Sequence, residues 1–124
     1  MKILVAEDET AARKLIAAML SREHEVLAVE SADEAALHLA TGQWELLVTD
    51  YKMPGKTGIE LIEDLVASGS MVPVILMTGQ TSKDKNVERV KEKVHRVLSK
   101  PFSRVQLNQA IAELTSDMGE KSAS

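Results

Sequence analysis

The sequence contains no cysteine, which excludes a disulfide framework and any thiolate metal site. It also lacks a long apolar run. Ile3 to Ala6 is followed at once by Glu7, Asp8 and Glu9, too soon for a signal peptide. No stretch approaches membrane-spanning length. Positive charge is not in excess. The net charge is −4, which argues against a nucleic-acid binder, whose phosphate contacts need a basic footprint. The basic stretch from Lys83 to Lys100 also carries Asp84, Glu88 and Glu92, so it reads as a solvated, salt-bridged helix face. There is no internal repeat and no low-complexity linker. These absences point to a soluble, cytoplasmic protein with no direct nucleic-acid or membrane contact. The 124 residues suit one domain, large enough to bury a core without staples.

What is present alternates between two hydrophobic periods. Lys2 to Ala6 and Val26 to Val29 read as short buried strands. Between them, Thr10 to Arg22 places Leu15, Ile16, Met19 and Leu20 on one helical stripe. Ser31 and Glu34 have capping-box spacing and open a helix to about Ala40, with Gly42 as its stop. Trp44 to Thr49 reads as a third strand ending at Asp50, and its apolar centre suits a strand covered on both faces. Tyr51 to Thr57 reads as loop. Gly58 to Ser68 reads as a helix with Ile59, Ile62, Leu65 and Val66 inward. Pro73 to Met77 is a fourth strand, closed by Thr78 and Gly79. Lys83 to about Val94 is a charged helix, and Arg96 to Ser99 is a fifth strand. Ser103 and Gln106 form a second capping-box candidate. They open a helix carrying Leu107, Ile111 and Leu114. Thr115 to Ser124 reads as a frayed polar tail, so the domain is expected over 1–115 and a disordered tail over 116–124. Five strands alternating with five helices imply an α/β, doubly wound, five-stranded parallel sheet.

In such a sheet, ligands bind beyond the carboxyl ends of the strands. Strand one ends at Glu7 and Asp8, strand three at Asp50, strand four at Thr78, and strand five at Lys100 and Pro101. Three carboxylates, a hydroxyl and an ammonium therefore converge on one edge. Close carboxylates repel one another unless a cation intervenes, and one lysine does not neutralise three acids. Hard oxygen ligands suit Mg²⁺, which often bridges to a phosphate. A carboxylate can also act as a nucleophile toward a phosphoryl group, giving an aspartyl phosphate. Catalysis would then be positioning and electrostatics, with Thr78 donating to a phosphoryl oxygen. Taken singly, Asp50 reads as a loop or capping acid, Thr78 as a turn residue and Lys100 as a solvated lysine. Their convergence favours the site.

The ordered set Glu7-Asp8, Asp50-Tyr51-Lys52-Met53-Pro54 with Gly58, Thr78-Gly79 and Lys100-Pro101-Phe102 resembles the receiver domains of two-component response regulators, from Lys2 to about Leu114. The resemblance is to single-domain, chemotaxis-type members. It implies a flavodoxin-like fold with strand order 2-1-3-4-5. It implies Asp50 as phosphoacceptor in a phosphorelay. Glu7, Asp8, Asp50 and the backbone carbonyl of Lys52 would hold Mg²⁺, Asp8 most directly and Glu7 through water. Lys100 would pair first with the carboxylate and then with the phosphoryl group, Thr78 would be the switch hydroxyl, and Pro101 would follow a cis peptide bond. Partners implied are a histidine kinase or histidine phosphotransfer protein and an output partner, with the chain a monomer or an activation-dependent dimer. Such a receiver is not an enzyme in its own right, but takes part in its own phosphorylation and dephosphorylation.

Two departures from the family pattern bear on output. The switch position three residues before the lysine, usually Tyr or Phe, is Val97, which has no polar tip and few rotamers. The usual small or glycine-containing turn before the fifth strand is replaced by Glu92 to Arg96. Val97 favours an alternative, a phosphorylation-independent adaptor on the same fold. A haloacid-dehalogenase-type phosphatase would need a second acid where Lys52 stands. A flavodoxin-like cofactor carrier would set its phosphate against Glu7, Asp8 and Glu9. Lys52 is expected to face solvent, Trp44 to pack far from the site, and Tyr51 to report optically on Asp50.

Overall fold

The computed structural model describes residues 1–79 and 85–123, with the backbone alone over 115–123. Among these residues lie five strands, β1 (Lys2–Ala6), β2 (Glu25–Val29), β3 (Leu46–Asp50), β4 (Val74–Thr78) and β5 (Arg96–Ser99). The α-helices are α1 (Thr10–Ser21), α2 (Ala32–Thr41), α3 (Gly58–Ala67), α4 (Lys85–Val90) and α5 (Arg104–Ala123). All pairings are parallel, in the order β2-β1-β3-β4-β5, so the expected doubly wound, flavodoxin-like sheet is the one observed. No described helix is long and apolar enough to cross a membrane.

Period-two alternation along the strands builds two cores. Leu4, Leu47 and Leu76 face one way and pack with Ala35 of α2, Ile59 and Ile62 of α3, and Val87 and Val90 of α4. Ile3, Val5, Val48, Ile75 and Met77 face the other way, toward Ile16 and Leu20 of α1 and Leu107, Ile111 and Leu114 of α5. The central strands β3 and β4 are buried throughout, which explains their unbroken apolar centres.

The helix stripes are narrower than the sequence suggests. α1 buries Ile16 and Leu20, four residues apart and one above the other. Leu15, about 100° round the helix, stays 58% exposed. Val66 of α3 is likewise exposed. The helix starts are set by side-chain caps. Ser103 and Gln106 form the full reciprocal box before α5. Ser31 accepts from the Glu34 N–H (3.1 Å), but the Glu34 carboxylate reaches the N–H of Glu30 rather than that of Ser31. A further box, Thr57 with Glu60, caps α3. Trp44 lies outside β3; its indole N–H donates to the His38 carbonyl (3.0 Å) near the end of α2.

The charged helix ends earlier than read. Its proposed start, Lys83 and Asp84, lies outside the described residues. α4 ends at Val90, a 3-10 turn covers Lys91–Lys93, and Val94 is already extended (φ −111°, ψ 155°). The unusual Glu92–Arg96 segment therefore leaves the helix through this turn, and the His95 N–H joins β4 by donating to the Val74 carbonyl (2.8 Å). At the other end, α5 continues to Ala123, past Leu114 and through the stretch read as a polar tail. No proline interrupts the backbone ladder there.

Gly58 fixes the loop beneath the strand edge. Its N–H donates to the Tyr51 carbonyl (2.8 Å), and a Cβ at this position would be driven into the backbone carbonyl of Asp50. Backbone does not yield as a side-chain tip does. Gly58→Ala is expected to cost about 1–3 kcal/mol by overpacking, measured by urea unfolding. Gly79, with open space around it, should accept alanine within about 0.5 kcal/mol.

Candidate functional site

Parallel pairing carries the polar strand ends to one edge. Asp50 lies beside Met77, and Thr78 beside Ser99. The Tyr51 N–H donates both to Asp50 Oδ1 and to the Met77 carbonyl, each at 2.9 Å. The Glu7 N–H donates to the Val29 carbonyl (3.0 Å), and the Lys100 N–H to the Thr78 carbonyl (2.8 Å). Backbone bonds thus fix the bases of these side chains.

Lys100 Nζ is 2.7 Å from Glu7 Oε1 and 3.1 Å from Asp50 Oδ2. The other Glu7 oxygen, Oε2, accepts from the Glu9 N–H (3.2 Å). Glu7 is 1% exposed and Asp50 8%. Glu7, Asp8 and Asp50 each place a carboxylate oxygen within 4.8 Å of the others. Hard oxygens at this spacing, with one ammonium against three acids, fit a divalent metal ion. Both Glu7 oxygens already have partners in the protein.

Burial pushes both inner acids toward the neutral form, with opposite results. For Glu7, the hydrogen bond and charge of Lys100 and the Glu9 N–H outweigh burial and hold the carboxyl below its usual range. For Asp50, burial and then the Glu7 charge outweigh Lys100 and push the carboxyl up to about 6. Burial opposes the charge on Lys100, but its bonds to Glu7 and Asp50 hold the ammonium above the ordinary lysine value.

The remaining predicted residues lie at or near the strand ends, except Val97. Thr78 is buried at the end of β4. Lys52 lies two residues beyond Asp50 with its side chain exposed, as expected. The Lys100–Pro101 bond is cis. Val97 is half-buried on β5, opposite Leu76, in the α3/α4 core rather than among the charges. Two supports were not visible in the sequence pattern. Arg13, in the first turn of α1, donates to the carbonyls of Glu7 and Asp8 (3.1 and 3.3 Å) and so grips the acidic loop. The Tyr51 hydroxyl accepts from the side-chain amide of Asn86 on α4 (2.9 Å). A basic residue one and a half turns after an acidic strand end is a usable signal for the first. Nothing in the spacing signals the second.

The raised Asp50 value makes a linkage prediction. Folded Asp50 keeps its proton between the ordinary value of 3.8 and about 6, where the unfolded chain has lost it. Stability therefore falls as pH rises through that window, and the loss is complete above it. Glu7 acts in the opposite sense, so the comparison must isolate Asp50. Without metal, Asp50→Asn is expected to stabilise the protein by about 1–3 kcal/mol at pH 7 to 8, with the gain vanishing below about pH 4. Urea unfolding across pH reads it directly.

Residues 3–112 match the family model described as the response regulator receiver domain. The chain is 30% identical over 119 residues to the chemotaxis protein CheY of Pseudomonas aeruginosa, covering 92% of this chain and 95% of that one. It is 33% identical over 112 residues to the response regulator protein FleR of the same organism, covering 90% of this chain but only 24% of that longer one. Among solved structures, the Francisella response regulator 1452 receiver domain superposes with a TM-score of 0.86 at 25% identity, covering 94% of this chain and 98% of that one. With Asp50, Glu7 and Lys100 drawn together at the edge of a 2-1-3-4-5 sheet, the chain belongs to the response regulator receiver domain family.

Proposed function

We propose that the chain is a phosphoacceptor switch in a two-component phosphorelay, phosphorylated on Asp50. The observation that carries this reading is the Lys100 ammonium bonded to both Glu7 and Asp50 in a buried strand-edge site. An Asp50 oxygen attacks the phosphorus of a phosphohistidine. The N–P bond breaks, the imidazole leaves as the neutral base after taking a proton, and Asp50 becomes an acyl phosphate. Lys100 first restrains the carboxylate and then pairs with a phosphoryl oxygen, while Thr78 donates its hydroxyl to another. Asp8, Asp50 and the Lys52 carbonyl would hold Mg²⁺, with Glu7 reaching it through water because both its oxygens are engaged. When bound, Mg²⁺ supplies the charge that neutralises the transferring oxygens.

The donor is a histidine kinase or a histidine phosphotransfer protein, both cytoplasmic in contact. The output partner distinguishes the two states of Asp50 by differential affinity. The chain is an acceptor with a part in its own phosphorylation and dephosphorylation, without a separate substrate. Position 52 as Lys removes the acid that a phosphatase of the dehalogenase type would use.

Incubation with acetyl phosphate and Mg²⁺, followed by intact mass measurement, tests the chemistry. One phosphoryl group is expected on the parent chain, with none when metal is removed and none on Asp50→Asn. No uptake by the parent, under conditions that label another receiver, would leave the chain an adaptor on the same fold.

A further inference from the structure

With valine at position 97, the reporter of Asp50 must be sought elsewhere. The chain has one Trp, one Tyr and one Phe. Trp44 sits at the far end of β3 against α2. Phe102 packs on the α1/α5 core. Tyr51 is the aromatic that touches both Asp50 and α4.

Its backbone is held on the site. The N–H donates to Asp50 Oδ1, and the carbonyl accepts from Gly58 at the start of α3. Tyr51 is 6% exposed and belongs to the same buried cluster as Val87 and Val90. Its hydroxyl accepts from the Asn86 amide nitrogen at 2.9 Å. The Asn86 amide oxygen accepts in turn from Arg89 Nη1 (3.2 Å). Arg89 is clamped to Glu63 of α3 through Nη2 and Nε, both at 3.1 Å. Two sets of hydrogen bonds, joined through the covalent frame of Tyr51, therefore lead from the Asp50 carboxylate to the exposed face of α4.

We propose that Tyr51 carries the state of Asp50 to α4 through Asn86, in place of an aromatic at position 97. The inference rests on the phosphoacceptor reading of Asp50. Phosphorylating Asp50 changes the acceptor that the Tyr51 N–H faces, from a charged carboxylate oxygen to an oxygen of an acyl phosphate, and moves the negative charge outward onto the phosphoryl group. Tyr51 adjusts at its backbone, and the rigid ring transmits the adjustment to a hydroxyl held by Asn86. Over its described residues α4 spans Lys85–Val90 and ends in a 3-10 turn, so its C-terminal end has few ladder bonds of its own to resist displacement. Lys85, Glu88 and Arg89 are exposed on it, and a shift would re-present these charges to a partner.

Position between two sites is not coupling, so the test must measure coupling. Amide chemical shifts of the labelled full chain are recorded before and after acetyl phosphate and Mg²⁺, with uptake followed by intact mass in the same samples. In the parent, Asn86 to Val90 should shift on phosphorylation. Asn86 is exposed, so Asn86→Ala should fold and take up the phosphoryl group as the parent does. Its α4 shift change per phosphorylated molecule should fall by about half or more. Glu88→Ala, on the same helix but outside the run of bonds, should keep the parent response. Full uptake with an undiminished response in Asn86→Ala overturns the relay alone. So does an equal loss in Glu88→Ala, or a parent that is phosphorylated without movement in α4. Absence of uptake by the parent overturns the phosphoacceptor reading and the relay with it.

Discussion

The Lys100 ammonium lies against Glu7 and Asp50 at once, although the three residues leave three different strands. In the order β2-β1-β3-β4-β5, Lys100 must reach from β5 across β4 to Asp50, and from there to Glu7 after β1. Two strand spacings are roughly 10 Å, a gap closed by the long stem of Lys100, the Asp50 side chain and the 3.1 Å contact between them. The stem of Lys100 is anchored at its N–H by the Thr78 carbonyl. The doubly wound topology thus has a direct electrostatic consequence, because this neighbour order lets one cation serve two buried acids.

That arrangement is built for chemistry more than for stability. Burying charge is costly even when the charge is paired, and here the cation is outnumbered. The imbalance appears in the acids themselves: Glu7 holds its negative charge, while Asp50 is pushed toward its neutral form by burial and by Glu7. Of the two inner acids, Asp50, the proposed phosphoacceptor, is therefore the one whose charge is less well compensated. Positive charge added beside Asp8 and Asp50 would relieve that imbalance. The surrounding structure holds the loops against this repulsion, with Arg13 on the Glu7 and Asp8 carbonyls and Gly58 beneath Asp50.

Much of this was legible in the sequence because it follows from local pattern. Short apolar runs ended by Glu7, Asp50, Thr78 and Lys100 give the strands, and the parallel sheet then gives the common edge. What pattern does not encode is side-chain reach and orientation. Leu15 and Val66 fit an apolar stripe yet face outward, because the stripe says nothing about how wide a contact the sheet offers. The capping role of Thr57 was hidden within a stretch read as loop. The end of α4 comes before Glu92 and Lys93, although both are good helix formers, because the exit to β5 is imposed by pairing with β4. The contact between Tyr51 and Asn86 joins residues far apart in the chain and has no periodic signature.

Three acids served by one ammonium leave a charge deficit that a divalent ion would fill. Mg²⁺ titration of the unfolding midpoint, on the parent and on Asp8→Asn, tests this most directly. An ion that binds only the folded site stabilises in proportion to the logarithm of its concentration above Kd. The parent midpoint should rise steadily with Mg²⁺, and Asp8→Asn should lose most of that rise. An equal response in the two proteins, or none in the parent, would contradict the account.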